Sequence, residues 1–346
     1  MSQRINTRRD LDLVKGILKA NAKTRIIELH SLPTNDELKA LITRNRPIVL
    51  RGVAKEWPLV QRWGNKAILT ELARKELEAE PKRKYTIYQP DPDGYLNQGH
   101  AAPVSQLSFS RYLDVVENSK KSLYLLGVPD LSGRGASPLE PKIGQETTPV
   151  FAADLEISSP HFFFLDLFKN AEAVRRHVFF NSGYSFTNLH FDSDWNTYLC
   201  AVGQRRWTLA HPGQARILAH APQAAYSTLR PAQAALSGRL NRLVTFKQVL
   251  LNPGDVLFVP PTWWHVVEGC VDQEPGTWSC GINWFFTIQE ALDSSDGEES
   301  DWEEVYNIPV SELGKQLTSI AKELKISRRV FADTLDQPLD AKRRRN

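Results

Sequence analysis

The sequence predicts a mainly β protein, a sandwich or closed barrel with flanking helices. From residue 176 onwards, the chain contains many short segments rich in valine, phenylalanine, tryptophan, tyrosine and leucine, separated by turns with glycine or proline. Segments with helical periodicity occur before and after this region. With 41% hydrophobic and 24% charged residues, the composition is ordinary for a globular protein that buries a sizeable core.

Residues 1–120 are predicted to form a segment of helices and strands that packs on the barrel. Leu11, Val14 and Leu18 recur at helical spacing. Residues 85–150 are rich in proline, glycine, aspartate and serine, which indicates irregular connections. The predicted elements are a helix over 10–20, a strand over 26–29, a helix from Thr34 or Asn35 through Ile42, a strand over 47–51, a helical turn at the end of 52–63 and a helix over 108–116.

Residues 121–288 are predicted to form the barrel itself. A helix over 165–171 precedes the strands, and the polar, alanine-rich stretch 212–247 is interpreted as an insertion between two of them. The predicted strands span residues 177–180, 197–202, 206–210, 248–251, 255–259 and 278–286.

Residues 289–346 are predicted to be a linker, a helix and a tail. The stretch 290–304 is dense in aspartate and glutamate, as in a solvated linker. The residues that follow place Val310, Leu313, Leu317, Ile320 and Leu324 on one helical face. The closing basic run 342–345 favours a disordered tail, with a nuclear signal or a nucleic-acid contact as alternatives.

Charge and cysteine content bear on nucleic-acid binding and on the expected cellular location. Lysine plus arginine exceeds aspartate plus glutamate by three (43 − 40), which argues neither for nor against nucleic-acid binding. Three cysteines without close spacing disfavour a disulfide framework or a zinc knuckle, so an intracellular location, cytoplasmic or nuclear, is expected. The charged N-terminus does not resemble a signal peptide, and the lack of an apolar run of about 18 residues predicts no membrane span.

Two motifs together predict a metal site. His190 and Asp192 are two residues apart, so in an extended segment their side chains point to the same face. His265 follows the apolar segment 253–261 and two tryptophans, an unusual choice for a plain core position. Two histidines and one carboxylate form the facial triad of non-haem iron(II) oxygenases, which leaves coordination positions open for a chelating cosubstrate and dioxygen.

Each part of this pattern also has a simpler interpretation. An HxD tripeptide alone occurs by chance, usually at the surface. The second motif, which contains His265, is what makes a metal site the favoured interpretation. The other histidines singled out lack ligand spacing and are interpreted as core or surface residues: His161, His177, His211 and His220. Trp195 is predicted either to line a substrate opening or to pack as core.

The motifs HFD at 190–192, PGDVLFVPPTWWHVVE at 253–268 and GINWF at 281–285 resemble the JmjC-type (cupin-like) oxygenases. The stretch 46–63 also resembles the N-terminal part of the branch that includes the factor inhibiting HIF hydroxylase. The resemblance covers about residues 45–64 and 120–286. It implies a double-stranded β-helix (jelly-roll) barrel in which His190, Asp192 and His265 bind iron(II).

The resemblance also implies a site for 2-oxoglutarate. Thr187 and Tyr124 match residues that contact its distal carboxylate, and Asn196 and Asn283 match residues near its metal-binding end. Arg205 stands where this branch has a lysine that pairs with the distal carboxylate. An arginine can bind a carboxylate with two hydrogen bonds, but it is larger and planar, so the pocket is expected to differ, and the adjacent Arg206 is an alternative partner.

These implications define an iron(II)- and 2-oxoglutarate-dependent oxygenase that hydroxylates a C–H bond, with a protein side chain as the first expected substrate. N-methyl-lysine demethylation and hydroxylation of tRNA or a small molecule are alternatives within this class. Outside it, the alternatives are a metal-binding cupin that acts as scaffold or sensor, and a metal enzyme that does not use 2-oxoglutarate. The helix at 310–324 resembles a homodimer interface of this branch, and otherwise folds back on the barrel.

Overall fold

The protein is mainly β, with four helices among the residues that the structure describes. This computed structural model describes residues 25–42, 44–92, 94–96, 105–119, 121–127, 171–214, 218, 227, 244–270 and 276–288. The helices are α1 (Asn35–Ile42), α2 (Pro58–Trp63), α3 (Lys66–Ala79) and α4 (Phe109–Asn118). The strands are β1 (Ile27–Leu29), β2 (Ile48–Leu50), β3 (Tyr85–Tyr88), β4 (Ser105–Leu107), β5 (Leu123–Gly127), β6 (Ala171–Ser182), β7 (Ser185–Phe186), β8 (Trp195–Val202), β9 (Gln204–Ala210), β10 (Phe246–Leu251), β11 (Val256–Val259), β12 (Trp264–Cys270) and β13 (Ser279–Ile288).

The strands form two sheets. The larger has the order β1-β2-β11-β8-β13-β6-β5-β3-β4, and the smaller has the order β10-β9-β12-β7. Strands β6 to β13 are therefore divided equally, four in each sheet, and the five strands before them extend the larger sheet at both edges. This arrangement is the jelly-roll barrel that the resemblance implies, so the predicted fold class is confirmed.

Two apolar clusters pack on opposite faces of the larger sheet. The inner cluster joins Tyr198 and Leu257 of this sheet to Trp207 and Val249 of the smaller one, so it fills the space between the sheets. The outer cluster joins all four helices to the other face of the larger sheet, for example Trp63 to Phe180, whose rings are stacked with centroids 5.9 Å apart. Each large apolar side chain buried in this way contributes about 1.5–3 kcal/mol.

Helices α1 and α4 begin at residues whose side chains cap them. Thr34 and Glu37 form a reciprocal pair: the Thr34 backbone N–H donates to Glu37 Oε2 (2.9 Å), and the Glu37 N–H donates to Thr34 Oγ1 (3.3 Å). Ser108 Oγ accepts the N–H of Arg111 at the start of α4. Thr34 is therefore the cap of α1, and the helix predicted over 108–116 is confirmed as α4.

Other elements depart from the sequence patterns. Helix α3 is not predicted, because its buried face includes a charged residue, Glu76, which accepts a hydrogen bond from the Tyr85 hydroxyl. His265 does not simply follow an apolar strand: it lies inside β12, which pairs with β9. The helix predicted over 165–171 is wrong at Ala171, which begins β6 and pairs with Ile288.

Several predicted segments lie outside the described residues. They are the helix over 10–20, residues 165–170, most of the stretch 212–247 and everything after residue 288. The division of the chain at residues 120 and 288 stays a prediction. Strand β3, which precedes the first of these boundaries, pairs directly with β5, which follows it.

The part of the chain that the structure describes contains no helix long and apolar enough to cross a membrane.

A buried carboxylate ties the N-terminal strands to the barrel. Asp255 is 3% exposed; its carboxylate accepts the Gly52 N–H (2.7 Å), the Asn252 N–H (3.0 Å) and the Arg51 guanidinium (2.8 Å). Arg51 also donates to the exposed Glu28. Asp255 thus fixes the turn after β2 against the turn before β11.

We expect Asp255→Ala to lower the free energy of unfolding by about 3 kcal/mol, because it leaves two backbone donors and a half-buried guanidinium without their acceptor. Urea unfolding followed by tryptophan fluorescence measures the change. Glu28→Ala is the control, and it should cost less than about 1 kcal/mol because that ion pair is exposed. Equal losses in the two variants would contradict the assignment.

Candidate metal centre and cavity

Three side chains that could hold a metal ion converge in the barrel. One ligand atom from each of His190, Asp192 and His265 lies within 4.8 Å of the others. The two histidines are held together by their backbones, since each N–H donates to the other's carbonyl oxygen, at 3.1 and 2.7 Å. Their ring centroids are 4.3 Å apart. The structure thus brings together the three residues that the sequence predicts as metal ligands.

Both imidazole rings are oriented by a backbone carbonyl. His190 Nδ1 lies 2.7 Å from the Asn188 carbonyl oxygen, and His265 Nδ1 lies 2.8 Å from that of Trp263. A carbonyl oxygen only accepts, so each Nδ1 donates the hydrogen bond, and Nε2 is the ring nitrogen left to face a metal. His265 Nε2 lies 3.5 Å from Asp192 Oδ2, which places this nitrogen beside the carboxylate.

Burial keeps His265 in the neutral form that a metal requires. Its side chain is 2% exposed, and burial together with the neighbouring His190 lowers the pKa of His265 to about 4, although Asp192 acts in the opposite direction. The ring is therefore uncharged at pH 7. Metal binding there does not have to displace a proton from Nε2.

A chain of amides orients the carboxylate. Asn283 Nδ2 donates to Asn196 Oδ1 (2.7 Å), and Asn196 Nδ2 donates to Asp192 Oδ2 (3.2 Å). Both asparagines are buried on the interior face of the larger sheet. Hydrogen-bonded neighbours of this kind fix the direction of a ligating side chain.

The triad opens into a cavity of about 490 Å³ between the two sheets. All eight residues that the sequence predicts for the site line it: Tyr124, Thr187, His190, Asp192, Asn196, Arg205, His265 and Asn283. The remaining lining residues are Tyr88, Leu96, His177, Phe179, Tyr198, Trp207, Val267 and Phe285. The cavity is therefore polar around the triad and largely aromatic elsewhere.

Arg205 places a positive charge in this cavity. Its side chain is 2% exposed, and its hydrogen bonds are two long ones, to the carbonyl oxygens of Phe179 (3.5 Å) and Ser279 (3.4 Å). Among the described residues, its Nε has no partner and no carboxylate pairs with it. A buried guanidinium stays charged, and leaving it without an anion is costly. The guanidinium therefore fits an anionic group in this cavity.

Two hydroxyl groups complete the polar wall. Thr187 Oγ1 accepts the Val267 N–H (2.8 Å), which leaves its own proton available to a ligand. Burial raises the pKa of the Tyr124 hydroxyl above its usual value, while the charge of Arg205 acts in the opposite direction. Tyr124 therefore remains a hydrogen-bond donor at neutral pH.

Arg206 and Trp195 are each adjacent in sequence to a cavity residue, and their side chains therefore lie on the opposite face of their strands. Arg206 forms an ion pair with Glu268 (2.8 Å) and so is not the carboxylate partner, which removes that alternative. Trp195 stacks on Phe258 in the outer cluster, with ring centroids 5.2 Å apart, so its interpretation as core is the correct one.

None of the eight remaining lining residues was predicted from the sequence, and three of them show why. His177 was interpreted as core or surface, but it lines the cavity and is the strand partner of Asn283. Tyr198 and Trp207 line the cavity beside Asn196 and Arg205. Counting every second residue from Asn196 and from Arg205 would have found the last two, because side chains two apart share a face.

A jelly-roll barrel with two histidines and a carboxylate in its interior belongs to the cupin class. The family model described as "Cupin-like domain" matches residues 34–291, which is more than half of the chain. The chain therefore belongs to the cupin-like domain family.

Two curated relatives match shorter stretches. The Jumonji C domain-containing protein 5 of Drosophila melanogaster is 34% identical over 84 residues, which are 23% of this chain and 21% of that protein. The tRNA wybutosine-synthesizing protein 4 of Gibberella zeae is 33% identical over 103 residues, which are 30% of this chain and 10% of that protein. The chain thus matches about a fifth of the first relative's length and a tenth of the second's.

We expect the loss of any one of the three ligands to weaken metal binding strongly. His190→Ala, Asp192→Ala and His265→Ala should each weaken binding of iron(II) or manganese(II) at least 100-fold, because two ligands hold a divalent ion poorly. Anaerobic isothermal titration calorimetry measures the affinity. Asp194→Ala is the control, since its carboxylate is near in sequence but outside the triad. Comparable loss in this control would contradict the assignment.

We expect Asn196→Ala to weaken metal binding about tenfold, because Asp192 loses the amide donor that orients it. The three ligands remain, so the stoichiometry should stay at one ion per chain. Titration of the metal-free protein with cobalt(II), followed by visible absorption, measures both quantities. An affinity equal to that of the wild type would show that Asp192 needs no such support.

Proposed function

We propose that this protein is an iron(II)- and 2-oxoglutarate-dependent oxygenase that hydroxylates a C–H bond. The observation that carries the proposal is the buried charge of Arg205, which no carboxylate of the described residues neutralises, in the same cavity as the His190, Asp192 and His265 triad. The triad fits a metal, and the guanidinium fits the far end of a dianionic cosubstrate. Neither a metal scaffold nor a sensor requires this second feature.

The donor atoms of the triad fit iron(II). Two imidazole nitrogens and one carboxylate on one side of an ion leave the other side open, as in non-haem iron oxygenases. A structural zinc site would instead enclose its ion with four protein ligands. Among the described residues, no fourth His, Cys, Asp or Glu joins the cluster.

The cavity wall fits 2-oxoglutarate. Arg205, Thr187 and Tyr124 would hold the distal carboxylate, the guanidinium through charge-assisted hydrogen bonds. Asn196 and Asn283 would stand beside the end that chelates the metal. The Asn283 Oδ1 atom is buried and has no hydrogen-bond partner in the part of the chain that the structure describes, and this fits a site that is completed by a ligand.

When bound, iron(II) and 2-oxoglutarate supply the oxidising chemistry: one oxygen atom of dioxygen enters the succinate formed with loss of carbon dioxide, and the other enters the C–H bond. The chain's own residues orient and protect these reactants. His190 and His265 present their Nε2 lone pairs, and Asn196 fixes Asp192. Trp207, packed at 5.1 Å from the His265 ring, excludes water from that side.

A protein side chain is the substrate class we propose first, in line with the resemblance of the motifs to those of the factor inhibiting HIF branch. The match to a Jumonji C domain-containing protein supports the same enzyme class. Hydroxylation of a tRNA nucleoside is the second candidate, because another relative is described as a tRNA wybutosine-synthesizing protein. Stimulation of 2-oxoglutarate turnover by a peptide library or by bulk tRNA distinguishes the two.

We expect Arg205→Met to weaken 2-oxoglutarate binding about 100-fold, because the carboxylate loses its charged partner. Metal affinity should be unchanged, and the free protein should be no less stable, because the substitution removes a buried charge that no described carboxylate neutralises. The measurements are anaerobic calorimetry with iron(II), and succinate release after addition of 2-oxoglutarate and oxygen.

Arg206→Met is the matched control: it alters the adjacent arginine, whose ion pair with Glu268 lies on the other face of the strand. Its affinity for 2-oxoglutarate should equal that of the wild type. A wild-type protein that binds iron(II) but not 2-oxoglutarate would contradict the proposed function and favour a metal-binding cupin without this cosubstrate.

A further inference from the structure

Thr262 has a backbone conformation that its side chain disfavours. Its φ angle is +64°, in the left-handed region. Asn45 is the other non-glycine residue with positive φ among the described residues, and asparagine tolerates that region. Threonine is branched at Cβ and does not. The surroundings of Thr262 must therefore impose this conformation.

Thr262 lies in an irregular strand pairing beside the metal centre. His190 and His265 exchange two backbone hydrogen bonds, and the Thr262 N–H donates to the Asp192 carbonyl oxygen at 2.8 Å. Asp192 lies two residues from His190 on one strand, whereas Thr262 lies three residues from His265 on the other. One extra residue opposite a regular strand is a β-bulge, and one class of bulge puts its first residue in the left-handed region.

The turn formed by residues 261–263 contacts two of the three metal ligands. The Thr262 N–H holds the backbone of Asp192, and the Trp263 carbonyl oxygen accepts the His265 Nδ1 proton. Within the turn, the Thr262 hydroxyl donates to the carbonyl oxygen of the preceding residue, Pro261, at 2.6 Å. The separation of Asp192 and His265 therefore depends on the conformation of this turn.

We propose that Thr262 is a positioning residue, whose strained turn sets the distance and direction between Asp192 and His265 before a metal binds. Glycine would adopt the same φ without strain, but it would also allow the turn many others. The threonine hydroxyl restricts the turn to the one that aims both ligands. The inference rests on the metal centre proposed above, and it assigns a role to a residue that is itself no ligand.

Thr262→Gly and Thr262→Ser form the test, with wild type alongside. In Thr262→Gly, we expect cobalt(II) and iron(II) to bind about tenfold more weakly, as when a group that orients a ligand is lost. The melting temperature of the metal-free protein should stay the same or rise by about 2–4 °C, because strain is relieved. Thr262→Ser keeps the hydroxyl and should bind metal within about twofold of wild type.

The paired readouts separate positioning from general stability. Metal affinity comes from anaerobic calorimetry, the geometry of the ligands from the visible spectrum of bound cobalt(II), and stability from thermal unfolding with a chelator present. Weaker binding with an altered spectrum and undiminished stability in Thr262→Gly supports the inference. Unchanged affinity overturns it, and so does a parallel fall in affinity and stability, which would mean a merely structural turn.

A wild-type protein that binds no divalent metal would instead contradict the metal centre itself, and with it both the proposed function and this inference. The two failures are therefore distinguishable. If the wild type binds metal and Thr262→Gly binds it equally well, only the role of Thr262 is lost.

Discussion

The pair of backbone hydrogen bonds between His190 and His265 is the contact on which the site depends. It joins the segment before β8 to β12 and puts two imidazoles side by side. Asp192 is then within reach of His265, because the alternation of an extended strand returns its side chain to the same face. The donor to the carboxylate, Asn196, comes from the facing wall of the barrel and is itself held by Asn283.

The polarity of the cavity conflicts with the apolar core that surrounds it. Arg205 is as deeply buried as its apolar neighbours, and its two hydrogen bonds to carbonyl oxygens are long. The free protein tolerates this charge because the outer and inner apolar clusters stabilise the barrel on both faces of the larger sheet. Functional sites often retain such unfavourable groups, since a bound ligand relieves them.

The N-terminal residues contribute to the same framework. Strands β1 and β2 extend the larger sheet beside β11, and Asp255 fixes the turn after β2. Helices α1 to α4 cover the outer face, which would otherwise expose Trp284 and Phe286. The interior face lines the cavity, so the outer face of the sheet contributes mainly to stability and the inner face contains the candidate site.

The sequence by itself predicted a β sandwich or closed barrel and the three metal ligands, because strand periodicity and the two motifs are local properties of the chain. The resemblance supplied the five candidate residues for 2-oxoglutarate and the jelly-roll topology. Local patterns did not predict α3, whose buried face contains Glu76, or the position of His265 inside β12, because pairing with β9 is a long-range contact.

Only the tertiary structure decided which of two adjacent arginines enters the cavity, and that His177 lines it. That choice depends on the register of β9 and β6 against their neighbours, and a shift of one residue would exchange the two faces. The strained turn at Thr262 is also a product of the fold, because a threonine adopts a positive φ only when distant residues hold it there.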